Sequence, residues 1–361
     1  MPRPNRAEDI VRLLAEQGGA GVRAELAGAV SASALRSAES RGWVTHLGNG
    51  SVVLARLAVP PLGNLDVCRS WTKPDLEPSA AEAEHITSLL AFARGSRGIL
   101  SHRSAAIAHR WAILEAPKQV ELVFRRGRRG PADTAVPIKT RHADLTDEEL
   151  RQHCTSPLRT VISCARDLHP TEALAIADSA LRAGDVGELE LRAAGESYAG
   201  PRAAQVRRVL ANADGAAANP FESALRWILL DVLGVEFSPQ VRVEQSHIGL
   251  LAIVDLGVEE LRLACEADSY EFHGGRDNFH KDRRRYALLN AVDWMVLTFT
   301  LRQVREEPEW IRAIVETVVA LRRAHIAMER DAASWRRLQR KRARVSKRAR
   351  RTEGPGPSRA A

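Results

Sequence analysis

Cysteine is scarce. The four in 361 residues, Cys68, Cys154, Cys164 and Cys265, are far apart and form no Cys-x-x-Cys pair, which excludes a disulfide framework and a thiolate zinc site. They read as small buried hydrophobes in a reduced compartment. Aromatic residues make up only 5%, and no stretch approaches about 18 consecutive apolar residues, so no helix is expected to span a membrane. The opening Met1-Pro-Arg-Pro-Asn-Arg6 lacks the apolar region of a secretory signal, and a cytoplasmic protein without a membrane partner is expected. Hydrophobic residues at 45% and charged residues at 27% exclude wholesale disorder, and the length suits two or three domains.

The net charge of +8 is unevenly distributed. Residues 331–361 hold eleven Lys and Arg against Asp331 and Glu353, a net of +9, which leaves the body near −1. Arginine outnumbers lysine throughout, a pattern that reads as coding bias rather than phosphate chemistry. The tail is the one true basic run, and residues 324–351 either continue the last helix or order only on binding.

Near the N-terminus, Ile10, Val11, Leu13 and Leu14 share a helical stripe that Gly18-Gly19 ends. A second short helix lies within 22–30, and Ser31 or Ser33 caps a third carrying Leu35 and Ala38. Two alternating runs around Gly48-Asn49-Gly50 then form a hairpin. Three helices and a hairpin are the order of a winged helix-turn-helix, whose third helix presents Arg36 and Arg41 to a DNA groove.

A Pro-rich connector precedes a helical stretch over 79–115, with breaks expected at Gly95 and Gly98. His102 and His109 are seven apart, on one helix face, and a structural role is preferred because no nearby carboxylate or cysteine completes a metal site. A strand over 119–124 leads to the loop Arg125-Arg126-Gly-Arg128-Arg129-Gly130, a phosphate clamp or a solvated loop. Helices over about 160–168 and 171–183 follow.

The last third places acids oddly. An amphipathic helix over 221–233, with Glu222 in its first turn, precedes strand-like runs at 240–244, 249–256 and 261–268. Asp255 interrupts the apolar run from Leu250, and Glu266 and Asp268 end another, on one side of their strand. Like charges so placed repel unless a cation lies between them, and Mg²⁺ (or Mn²⁺) suits an all-oxygen set. The alternative is a solvated strand end, or pairing with Arg262 and Arg283 to Arg285. A symmetric turn about Val258-Glu259 would set Asp255 opposite Arg262, leaving Glu266 roughly 13 Å away unless a bulge or splayed strands close the gap. His273 is a proton carrier or an exposed loop histidine, on the way to a basic helix over 277–289 holding Lys281 and Arg283 to Arg285. A buried strand over 294–299 and a terminal helix over 309–323 follow.

Together, Phe221-Glu222-Ser223, Val254-Asp255-Leu256, Glu266-Ala-Asp268-Ser-Tyr-Glu-Phe272-His273, Asp282-Arg-Arg-Arg285 and Trp294-Met-Val-Leu-Thr-Phe-Thr300 resemble a very-short-patch-repair-like endonuclease domain of the DUF559 type, in the PD-(D/E)xK superfamily. The resemblance implies an α/β/α domain with a mixed sheet and Asp255 and Glu266 as metal ligands, with Asp268 at the position of the superfamily's usual lysine, Glu222 as its helix-borne acid and His273 as its histidine after the strand. In the expected site Asp255, Glu266 and Asp268 hold the metal, with catalytic support from Glu222 and His273. Lys281, Arg283, Arg284 and Arg285 are candidate DNA-phosphate contacts, the alternative being a solvated helix face.

The N-terminal region, with Ser101-His102-Arg-Ser104 and Thr155-Ser-Pro-Leu-Arg-Thr160, resembles the AbiEi-type antitoxin architecture, which implies DNA binding and a cognate toxin protein as partner. The expected class is multidomain α/β: a winged helix-turn-helix over 1–62, a linker over 63–78, a mainly helical middle region over 79–218, an endonuclease-like domain over 219–323 and a basic tail over 324–361. The expected function is metal-dependent hydrolysis of DNA phosphodiesters in repair or phage defence. The alternative is a regulator or antitoxin with an inactive nuclease fold.

Overall fold

Five helices among the described residues begin where a hydroxyl accepts a hydrogen bond from the N–H three residues on: Ser31 from Ala34, Ser79 from Glu82, Thr146 from Glu149, Ser156 from Arg159 and Thr300 from Gln303. Each bond satisfies a donor that the helix start would otherwise leave open, worth about 1 kcal/mol. The structure, a computed structural model, describes residues 6–48, 50–58, 60, 62, 79–131, 134, 136–268 and 276–352, with backbone alone for 47–48, 276–282 and 342–352. It is mixed α/β and divides into two units, residues 1–227 and 228–361.

The first unit opens with α1 (Arg6–Glu16), β1 (Ala20–Val22), α2 (Arg23–Ala29), α3 (Ala32–Ser40), β2 (Val44–Gly48) and β3 (Ser51–Leu54). Ile10, Leu14, Leu26, Leu35 and Ala38 are its buried stripe, at the positions the periodicity marks. The hairpin has a third strand: β1 pairs antiparallel with β3 in the order β1-β3-β2. Three residues are too few to announce themselves as a strand.

Next come α4 (Ala80–Ser96), β4 (Ile99–Leu100), α5 (His102–Ala108), β5 (Val120–Arg125) and β6 (Ile138–Ala143). Gly95 does not break α4, which stops at Arg97, where the backbone turns left-handed at φ 54°. Gly98 follows because the Phe124 ring lies 2.9 Å from where a Cβ would stand. Strand β5 pairs antiparallel with β4 and parallel with β6, a partner that sequence reading missed. Five more helices follow: α6 (Asp147–Gln152), α7 (Pro157–Asp167), α8 (Pro170–Ala183), α9 (Glu188–Ser197) and α10 (Ala203–Ala211).

One core joins the N-terminal elements to this middle region, with Leu54, Leu57, Leu89, Phe92, Trp111 and Phe124 in the same buried cluster. The segments assigned to 1–62 and 79–218 thus share a core, and 63–78 lies outside the described residues. Helix α11 (Pro220–Leu229), four residues shorter at its end than expected, straddles the division. Its start belongs with the first unit: Arg226 Nη2 reaches both carboxylate oxygens of fully buried Asp178 on α8, at 2.9 and 2.7 Å, and Nη1 donates to the Asn212 carbonyl.

The second unit holds β7 (Ser238–Gln245), β8 (Leu250–Val258), β9 (Leu263–Asp268), α12 (Arg276–Ala291), β10 (Met295–Thr300), α13 (Leu301–Glu306) and α14 (Pro308–Thr352). The sheet order is β10-β9-β8-β7; β7, β8 and β9 form an antiparallel meander, and β10 returns through α12 to lie parallel to β9. Val241, Val243, Ala252, Val254, Leu289 and Trp294 share its core. As an edge strand, β10 is less buried than its composition suggests, Phe299 being enclosed and Met295 exposed. The terminal helix does not stop at 323. It buries Ile311, Val315, Val319, Arg322 and Ile326 on one stripe and continues into the tail, where Trp335 and Leu338 are exposed.

Cys154, Cys164 and Cys265 are free and buried, as expected, and Cys68 lies outside the described residues. Burial pushes the Cys154 thiol up to about 12. Among the described residues, no helix is long and apolar enough to cross a membrane.

Candidate functional site

The turn between β8 and β9 decides whether the acids meet. Glu259–Leu261 forms a short 3-10 turn, closed by Arg262 with left-handed backbone at φ 48°. Pairing begins at Val258↔Leu263 and runs through Gly257↔Ala264 to Leu256↔Cys265. This loop is longer than the symmetric turn assumed from sequence, and the pairing ends at Leu256↔Cys265, the neighbours of Asp255 and Glu266, so Asp255 does not stand opposite Arg262. The 13 Å gap does not arise, because the turn supplies the missing residues.

Where the β8–β9 pairing ends, the Ala267 N–H donates to Asp255 Oδ2 at 2.9 Å. Burial pushes the Asp255 carboxyl above its ordinary range; the Ala267 N–H and Arg285 oppose that rise and the charge of Asp268 adds to it. Glu266 is buried, only 3% exposed, and meets the Arg285 guanidinium at 2.8 Å (Oε2 to Nη2) and 3.3 Å (Oε1 to Nη1). Arg285 also donates to the Ile253 carbonyl and stacks over Tyr286. Asp268 ends β9 in an exposed position. The structure thus brings Asp255 beside the Glu266-Ala267-Asp268 segment where the β8–β9 pairing ends, with the Arg285 guanidinium on Glu266, but among the described residues the ligand oxygens of the three acids do not gather as a metal-holding group.

Glu222 serves its own helix. Asn219 Oδ1 accepts from the N–H groups of Phe221 and Glu222, while the Glu222 carboxylate accepts from Ala218 N and Asn219 Nδ2. That is a reciprocal cap at the start of α11. His273 and the Lys281 side chain lie outside the described residues. Arg36 and Arg41 are exposed on and beside α3, with Arg41 stacked on Trp43 at 4.8 Å, and Arg283 and Arg284 are exposed on α12. Arg285 is engaged with Glu266, the pairing offered as the alternative to a metal, rather than free to contact a phosphate. One signal could have singled it out, because Arg285 shares a helix face with Leu288 and Leu289, three and four residues on.

The histidines of the middle region do not converge. His102 contacts Asp167 at 2.9 Å, whereas His109 contacts the Thr155 carbonyl at 2.9 Å and stacks on Trp111. Among the described residues, Asp293, His325 and Glu329 bring their ligand atoms within 4.8 Å of one another, as a metal-holding group would. Arg322 and Arg262 already contact Asp293, at 2.9 and 2.7 Å, and Arg262 also meets Glu329. Their hydrogen bonds, Arg322 foremost, hold the Asp293 carboxyl down at about 2. These residues form an ion-pair clasp between the β8–β9 turn, the start of β10 and α14.

No protein-family model matches the chain. Two uncharacterized proteins of Mycobacterium tuberculosis, one each from strains CDC 1551 and H37Rv, are 32% identical to it over 155 residues, 43% of this chain. The chain's match spans 57% of the length of these curated relatives. Among solved structures, the crystal structure of another M. tuberculosis protein is similar with a TM-score of 0.32 and 14% identity, covering 69% of this chain and 91% of that one.

Proposed function

We propose that this protein is a DNA-directed, divalent-metal-dependent endonuclease of the DUF559 type, acting in the cytoplasm in repair or phage defence. The observation that carries the reading is the meeting of Asp255 with the Glu266-Ala267-Asp268 strand end, anchored by the Ala267 N–H. The donors are all hard carboxylate oxygens, the chemistry that Mg²⁺ or Mn²⁺ prefers. A bound ion supplies Lewis-acid activation of water and phosphodiester. The chain's own residues hold the carboxylates in place, Asp255 by Ala267 and Glu266 by Arg285, while exposed Arg283 and Arg284 offer phosphate contacts beside Lys281. His273, just past the acidic strand, is the proton carrier in this reading. The helix, strand, helix, helix, hairpin order of the N-terminus supports a winged helix that brings DNA to Arg36 and Arg41.

The test is incubation with supercoiled, mismatched and single-stranded DNA in Mg²⁺, Mn²⁺ or EDTA, beside Asp255→Ala and Glu266→Ala. Metal-dependent cutting lost in both variants is expected. Cutting that survives in both overturns the site.

A second reading is an AbiEi-type regulator or antitoxin, partnered by a cognate toxin, whose nuclease fold serves only binding. The occupation of Glu266 by Arg285 favours it. Sequence-specific binding to its own promoter without cleavage of any substrate selects it.

A further inference from the structure

A cavity of about 610 Å³ in the first unit is lined by Arg94, Arg97, Arg128, His153 and a single acid, Glu25. The arginines arrive from separate segments. Arg94 lies in the last turn of α4, Arg97 is the left-handed residue that ends it, and Arg128 stands in the arginine-rich loop after β5. In that loop Arg125 and Arg126 are paired with Asp147 and Asp144. Neither Arg97 nor Arg128 has an acidic partner among the described residues.

The cavity is also organised. Arg94 Nε donates to His153 Nε2 at 3.1 Å, so that ring nitrogen carries no proton and the imidazole is neutral. Burial and the neighbouring Arg94 charge both hold His153 in that state, and its ring also bonds the backbone at Gly98. A neutral acceptor thus fixes the Arg94 guanidinium without consuming its charge. The Arg128 carbonyl accepts from His142 Nε2 at 2.8 Å, which ties down the loop. Gly18, at φ +75°, brings backbone where a Cβ would stand 3.3 Å from Arg94 Nη1.

Three guanidinium groups against one carboxylate leave two positive charges, the complement of a phosphate dianion. The volume falls in the range of small-molecule sites, and Val22, Ile99 and Leu150 supply apolar wall beside the cations. We infer that this cavity binds the phosphate dianion of a small phosphorylated ligand of nucleotide size, through Arg94, Arg97 and Arg128. The inference is independent of phosphodiester cleavage in the second unit.

Titration calorimetry of the full chain with adenosine 5′-monophosphate, adenosine and inorganic phosphate tests it. The monophosphate is expected to bind at one site, with adenosine silent and inorganic phosphate competing. Inorganic phosphate binding as tightly as the monophosphate assigns the same pocket to the free anion. Arg97→Gln and Arg128→Gln, both at exposed positions, are each expected to weaken binding at least about tenfold, whereas Arg12→Gln on α1 leaves it unchanged. Absence of saturable binding, or equal affinity in all variants, overturns the assignment. So does a short DNA duplex that displaces the monophosphate through these same arginines at lower concentration, which gives the pocket to nucleic acid.

Discussion

Asp255 and Ala267 are joined between β8 and β9 where the pairing of the two strands ends, the Ala267 N–H donating to Asp255 Oδ2 at 2.9 Å. One carboxylate oxygen is thereby fixed by the backbone of the strand that carries Glu266 and Asp268. Asp255→Asn preserves an acceptor for that bond while removing the charge. It is expected to lower metal-dependent DNA cutting at least about 100-fold with less than threefold change in DNA affinity, a loss confined to the reacting step. Cleavage rates and binding isotherms on the same duplex check it.

The same substitution has a stability signature. Burial raises the Asp255 carboxyl, so the folded state is weakened above that raised value, where the group must ionise in place, and relieved below it. Asp255→Asn is therefore expected to be more resistant to urea than the parent at pH 8. The advantage should vanish below about pH 4, where the unfolded carboxyl is protonated as well. A variant less stable than the parent at pH 8 contradicts the burial argument.

Asp293 behaves in the opposite sense. Its carboxyl, held at about 2 by Arg322 and Arg262, strengthens the folded state above the ordinary carboxylate range and loses that effect as pH falls through about 2. Asp293→Asn is expected to unfold more readily at pH 7, with the gap to the parent closing between about pH 4 and pH 2. Urea midpoints across that interval measure the gap, and a constant difference rules out the clasp as its origin.

Arg226 and Asp178 form a buried pair in the first unit, 5% and 0% exposed. Removing one partner strands a charge away from water, so Arg226→Met is expected to cost about 3–5 kcal/mol. Adding Asp178→Asn should recover most of that loss, because the orphaned charge disappears. Denaturant titration of the single and double variants distinguishes pair from bystander.

For the tail, deletion of 331–361 removes a net +9. DNA affinity at about 0.1 M salt is expected to fall at least tenfold, and the slope of log affinity against log salt should become shallower by about 0.9 for each phosphate that the tail had neutralised. An unchanged slope assigns DNA binding to the body of the protein.

Local signals were the legible ones. Ser31 marks a helix start by its own hydroxyl, and the stripe of Ile10 and Leu14 declares its helix within two turns. Strand β6 was hidden, because it is largely polar and exposed and its parallel partner is reached only past the arginine-rich loop. The acids at 255, 266 and 268 were visible as residues, but their meeting was not, since a 3-10 turn cannot be told from a tight hairpin by composition. The partners of Glu266 and Asp293 lie 19 and 29 or more residues away, and among the many arginines of this chain only the folded backbone selects Arg285 and Arg322.

The left-handed Arg262 that closes the β8–β9 turn gives the loop a length, and length is what the strand ends inherit. Losing one residue between 259 and 262 would advance β9 by one step, bring Ala267 opposite Asp255 and turn Glu266 toward the other side of the sheet. Many side chains could occupy that loop without consequence for the acids. The number of peptide bonds in it is the quantity the strand-end chemistry depends on.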